Sequence, residues 1–90
     1  MSDELNEIQF QILDAVYFVE PLANILEETD APATVVLSEL RGLIHRGWVQ
    51  VMQFDPDRAD FVRTAIWDTD NMHAYRYLAT KEGLLRHNGH

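Results

Sequence analysis

The stretch from Pro21 to Val49, PLANILEETDAPATVVLSELRGLIHRGWV, decides how this chain folds. Pro21 suits the first turn of a helix, where its missing N–H goes unmissed. Leu22, Ile25 and Leu26 then recur at helical spacing. Thr29 to Pro32 breaks that helix, and Pro32 opens another. Val36, Leu40, Leu43 and Ile44 form the buried side of this next helix. Gly47 ends it, because glycine accepts the left-handed conformation that closes a helix. Trp48 and Val49 start a strand. The stretch therefore predicts two short helices, a tight turn between them and a sheet behind.

Outward from it, Asp3 to Val19 reads as a first helix. Leu5, Ile8, Ile12, Ala15, Val16 and Val19 repeat every three or four residues. Ser2 is placed to cap its start, and Asp3 and Glu4 suit the positive end of the helix dipole. A second apolar stripe, Phe10, Leu13 and Tyr17, runs along another face. Two stripes imply burial on two sides, by the C-terminal helix of the same chain or by a second subunit.

On the other side, Trp48 to Phe54 is a strand by its β-branched and aromatic content. Tyr75 to Thr80 is its expected antiparallel partner. Thr80 caps a final helix over Lys81 to His87, which Asn88 and Gly89 end. Asp55 to Ala74 is long for a hairpin loop. Within it Phe61 to Trp67 reads as extended. Alternation puts Phe61, Arg63, Ala65 and Trp67 on one side and Val62, Thr64 and Ile66 on the other. Helical spacing fits the same residues.

Composition bounds the function. Ninety residues, 47% of them apolar, suffice for one small domain with its own core, residues 1–90. No run nears the ~20 apolar residues of a membrane helix. Met1 to Asn6 is acidic and polar, unlike a signal peptide. The chain has no Cys, so disulfides and thiolate chemistry are excluded, and a cytoplasmic location is the default expectation. The net charge is -8. Residues 1–30 contain eight carboxylates and no Lys or Arg, while residues 31–90 balance seven basic groups with seven acidic ones. An acidic surface repels phosphate and slows encounter with nucleic acid.

The apolar series of Leu22, Ile25, Leu26, Val36, Leu40 and Leu43, ending in Gly47-Trp48-Val49, resembles the winged helix-turn-helix family of bacterial and archaeal transcriptional regulators. Tyr77-Leu78-Ala79-Thr80-Lys81-Glu82-Gly83 is similar to that family's junction between second wing strand and last helix, with Ala79 in place of Leu. The two motifs cover about half the chain. The resemblance implies an α+β winged helix: a three-helix helix-turn-helix core, a β-hairpin wing with a long loop, and a C-terminal helix. It also implies a DNA-binding regulator, dimeric through Phe10, Leu13 and Tyr17, with double-stranded DNA as partner.

Carried over by position, Thr34, Ser38 and Arg41 on the third helix would meet bases or phosphates. His45 and Arg46 would touch the backbone near the helix end, and Arg58 and Arg63 would do so from the wing. Ala33, Val35, Leu37 and Glu39 in the same helix suit DNA poorly. Glu20, Glu27, Glu28 and Asp30 surround a helix whose N-terminus would lie on a phosphate. The alternative is an acidic winged-helix protein-interaction module that does not bind DNA. It would use the acidic first third or the apolar third helix as its contact.

Other chemistry finds little in the sequence. The spacing of His87 and His90 is ligand-like, but it sits at a chain end, and no metal or cofactor is expected. The acidic turns at Asp55 and Asp68 lack the Gly and Glu of a calcium loop. Ser2 and Ser38 lie in no nucleophile motif, so an enzyme is not expected. The aromatics Trp48, Phe54, Phe61, Trp67, Tyr75 and Tyr77 cluster around the wing. There they either pack the core or form a surface patch.

Overall fold

A computed structural model describes residues 5–89. The proposed Ser2 cap, the dipole contribution of Asp3 and Glu4, and the His90 position lie outside these residues. The elements run α1 (Glu7–Ala15), β1 (Glu20–Pro21), α2 (Leu22–Glu28), α3 (Ala33–His45), β2 (Val49–Asp55), β3 (Asp60–Thr64), a 3-10 turn (Met72–Ala74), β4 (Arg76–Ala79) and α4 (Lys81–Asn88). Four helices thus pack with a four-stranded antiparallel sheet of order β1-β4-β2-β3.

Helix α1 begins with a reciprocal cap. Asn6 Oδ1 accepts from the Gln9 N–H at 2.8 Å, and Gln9 Oε1 accepts from the Asn6 N–H at 3.0 Å. It stops at Ala15, short of the expected Val19, because Glu20 and Pro21 pair with Tyr77 and Arg76 at the sheet edge. A proline is tolerated there because an edge strand needs no donor on its open side. Pro21 and Pro32 each sit just before their helix, one residue earlier than a first-turn position.

Helix α3 closes as its sequence requires. Gly47 has φ +80, the Trp48 N–H donates to Leu43 O at 3.0 Å, and the Gly47 N–H donates to Ile44 O at 3.0 Å. This pair of bonds satisfies two carbonyls at the helix end. At the other junction Thr80 Oγ1 accepts from the Gly83 N–H at 3.1 Å and donates to Gly47 O at 2.6 Å. One threonine therefore caps α4 and ties it to the turn after α3.

The expected wing loop is a correction. Asp55 to Ala74 is not one long loop between two strands. It holds a four-residue turn, a third strand β3 paired with β2 from Val51↔Thr64 to Asp55↔Asp60, and a return segment. The extended reading of Phe61 onward holds to Thr64, where the chain leaves the sheet. The return segment crosses the α3 side: the Tyr77 hydroxyl donates to Met72 O at 2.7 Å, and Met72 is buried.

The sheet's inner face presents Val49, Val51, Tyr77 and Ala79 to the core. Ile12, Leu13, Val16, Leu22, Ile25, Val36, Leu40 and Leu43 meet them with essentially no exposure. Each such side chain contributes about 1.5–3 kcal/mol by leaving water. The opposite face carries Gln50, Met52, Phe54, Phe61, Arg63, Arg76 and Leu78 by strand alternation. No carboxylate of β2, β3 or β4 falls on that side.

Candidate interaction surfaces and a cleft

The exposed side of α3 is the surface that the sequence offered to DNA. Thr34 and Ser38 are exposed one turn apart, and Val35 is 37% exposed between them. Arg41 follows on the same side but turns back. Its Nη2 donates to Thr69 O at 3.4 Å, and its Nε is buried without a hydrogen-bond partner. The return segment therefore holds the one arginine of that helix through the backbone of Thr69. Glu39 points to α1, where its Oε2 accepts from Gln9 Nε2 at 3.0 Å. His45 is exposed, with its ring 6.3 Å from that of Trp67.

Four other arginines are also engaged. Arg46 and Arg86 each lie 5.1 Å from the centre of the Trp48 ring. Arg58 Nε pairs with Asp55 Oδ2 at 3.7 Å across the exposed hairpin turn. Arg76 stands 4.5 Å over the Phe61 ring, and Phe61 meets Phe54 edge-on at 5.4 Å. Trp48 is 6% exposed and Tyr77 is 0% exposed, so neither ring can stack on a base. Phe54 is the more open ring of the sheet's outer face, at 51% exposure. Arg63 is exposed and, among the described residues, forms no ion pair.

The stripe expected to pair two copies is engaged within the chain. Leu13 is fully buried inside the chain and has no surface to give a second copy. Phe10 stacks on His87 at 4.3 Å. The Tyr17 hydroxyl lies 2.9 Å from His87 Nδ1 and donates to Asn88 Oδ1 at 2.8 Å. His87 Nε2 sits 3.3 Å from Asp14 Oδ1, near enough for attraction but off the hydrogen-bond direction. Of the two ways to cover a second stripe, the chain uses its own C-terminal helix for Phe10 and Tyr17, which meet α4 at His87 and Asn88.

The acidic third is open. Glu7, Asp14, Glu27, Glu28 and Asp30 are all exposed. The Glu20 carboxylate accepts from Asn24 Nδ2 at 2.6 Å, one turn into α2. Among the described residues no group of three or more His, Asp or Glu is placed to hold a metal ion. No described helix is long and apolar enough to cross a membrane.

A cleft of about 350 Å³ lies where β3 parts from β2. Ile44, His45 and Gly47 from the end of α3, Val49 to Val51 from β2, and Arg63 to Ala65 with Trp67 line it. No sequence pattern announced it directly. Its one local signal is Thr64, a residue able to turn the chain by bonding to a nearby backbone group. Comparison with family models, curated proteins and solved structures found no match to this chain.

Proposed function

We propose that this chain is a winged-helix domain acting as an acidic protein-interaction module, with its partner docking a basic surface on the α1–α2 side. The observation that carries this reading is the internal use of most of the arginines that DNA would need. Arg41 is bound to the return segment, Arg46 covers Trp48, Arg58 pairs with Asp55 and Arg76 covers Phe61. Duplex DNA presents one negative charge per ~1.7 Å of axis, so a reader needs several free cations on one face. The α1–α2 stretch instead offers exposed carboxylates and, over residues 1–30, no Lys or Arg, a surface that steers a cationic partner.

A second reading, the DNA-binding regulator, keeps specific support. Thr34 and Ser38 stand exposed on the N-terminal half of α3, and Arg63 has no ion-pair partner among the described residues. Titration of labelled random duplex at low salt separates the two. Non-specific binding by DNA readers has a Kd of roughly 1–100 µM even at physiological salt. We expect no saturable binding in that range. A salt-sensitive, saturable signal that Arg63→Ala and Ser38→Ala weaken would establish the regulator instead. For the module reading, a partner retained by the wild type and lost with Glu27→Lys and Glu28→Lys places the contact. Retention by that variant overturns the acidic docking surface.

A further inference from the structure

The cleft between β2 and the return segment exists because Thr64 interrupts a ladder. Its Oγ1 donates to Ile66 O at 2.8 Å and accepts from the Ile66 N–H at 3.3 Å. Continued past Val51↔Thr64, the register would set Ile66 opposite Val49. The threonine thus engages the very groups that would have paired with Val49.

Two other bonds fix where Val49 points. The Thr80 N–H donates to Trp48 O at 3.0 Å, and the Ala79 N–H donates away from β2, to Val16 O at 2.8 Å. In an antiparallel ladder bonded and non-bonded pairs alternate, so Val49↔Ala79 is a non-bonded pair. The Val49 N–H and C=O therefore face the side that β3 has vacated. No described residue pairs with them, although Val49 is 2% exposed. Buried backbone groups are nearly always paired, so a donor and acceptor left together mark a place for an outside partner.

The surroundings define that partner. One strand residue presents N–H and C=O side by side in a plane, which matches an edge carrying an acceptor next to a donor. The Trp67 and His45 rings supply flat walls, and Ile44 and Val51 an apolar lining. Arg63, without an ion-pair partner among the described residues, also lines the space. An added peptide strand is poorly served, because only one residue of β2 is open. The Trp48 N–H goes to Leu43 O, its C=O goes to Thr80, and Val51 is paired with Thr64. The volume of about 350 Å³ lies at the small end of ligand sites.

We propose that this cleft binds a small planar heterocycle with adjacent N–H and C=O groups on one edge, as in a cyclic amide or imide, and an acidic substituent drawn to Arg63. The site is independent of the protein-docking reading above. The test is a titration of the full chain, followed by amide NMR, with uracil-6-carboxylate as probe. We expect saturable shifts at the Val49 amide and the Trp67 indole N–H, with half-saturation below about 1 mM, a reasonable strength for so small a ligand. The 1,3-dimethyl analogue, which has no N–H, should bind about tenfold more weakly, as should uracil-6-carboxylate to Arg63→Gln.

Thr64→Val should let β3 continue, protect the Val49 amide from exchange and abolish the shifts. Its amide spectrum reports separately whether it folds. Equal binding of the dimethyl analogue, no saturable shift at about 10 mM probe, or shifts produced only by N-acetylvaline N-methylamide would each overturn the proposal. The last result would reassign the opening to an extended peptide.

Discussion

Gly83 shows how one missing methyl group holds two elements together. A Cβ there would overlap the Trp48 carbonyl oxygen, which is backbone and cannot swing aside. Gly83→Ala should destabilise the fold by about 3 kcal/mol, despite alanine's better helix propensity. Urea denaturation measures this directly. Gly47 is constrained differently, by its φ of +80 with open space around it. Gly47→Ala should cost about 1–2 kcal/mol through backbone strain alone. Tyr77 adds a pH dependence. Burial, reinforced by Tyr75 and opposed by Arg41, pushes its phenol well above the ordinary 10.0. The folded state then resists ionisation, so the stabilisation is complete below about pH 10 and falls as pH rises above it, by about 1.4 kcal/mol per unit. Tyr77→Phe should remove that alkaline loss while giving up the bond to Met72. A wild-type curve that stays flat to pH 11.5 would count against the burial argument.

At the scale of elements, the α1–α4 seam engages Phe10 and Tyr17 of the stripe that suggested a subunit contact. Phe10 stacks on His87, and Tyr17 reaches His87 and Asn88. Phe10→Glu should therefore lower stability by about 1–3 kcal/mol, as a charge set into a partly buried stack does. It should leave the sedimentation coefficient unchanged. A shift from dimer to monomer on this substitution would restore the intersubunit reading. Hydrogen exchange should show α4 opening more readily in the variant than α3, because the seam is the main attachment of α4 to the helical layer.

For the whole molecule, charge is the governing quantity. The Cα radius of gyration is 12.6 Å, against about 12 Å for a compact chain of this length. A net charge of -8 is thus held in a small volume, with the acidic groups concentrated around α1 and α2. Self-repulsion of this kind opposes folding and is screened by salt. Raising sodium chloride from 10 mM to 0.5 M should raise Tm by roughly 4–8 °C, the equivalent of about 1 kcal/mol. Charge-reversal of Glu27 and Glu28 to Lys should flatten that salt response. An unchanged or falling Tm would show that the exposed carboxylates are too far apart to matter.

The chain by itself determined what depends on neighbours in sequence. Helical spacing located Leu22, Ile25, Val36, Leu40 and Leu43, Gly47 located the end of α3, and Thr80 the start of α4. These are local rules of period, cap and backbone conformation. The sequence read Phe61 to Trp67 as extended, which holds only to Thr64, and it did not name the partner strand, since alternation names a face and not a neighbour. Tertiary structure alone decided the rest. It covered the α1 stripe with α4 and turned Arg41 inward to Thr69. It set Arg46 on Trp48 and Arg76 on Phe61, and it opened Val49 where Thr64 ends the β3 ladder. Each of these depends on which distant groups meet. A polar side chain is free or engaged according to its surroundings in space, and linear spacing carries no record of them.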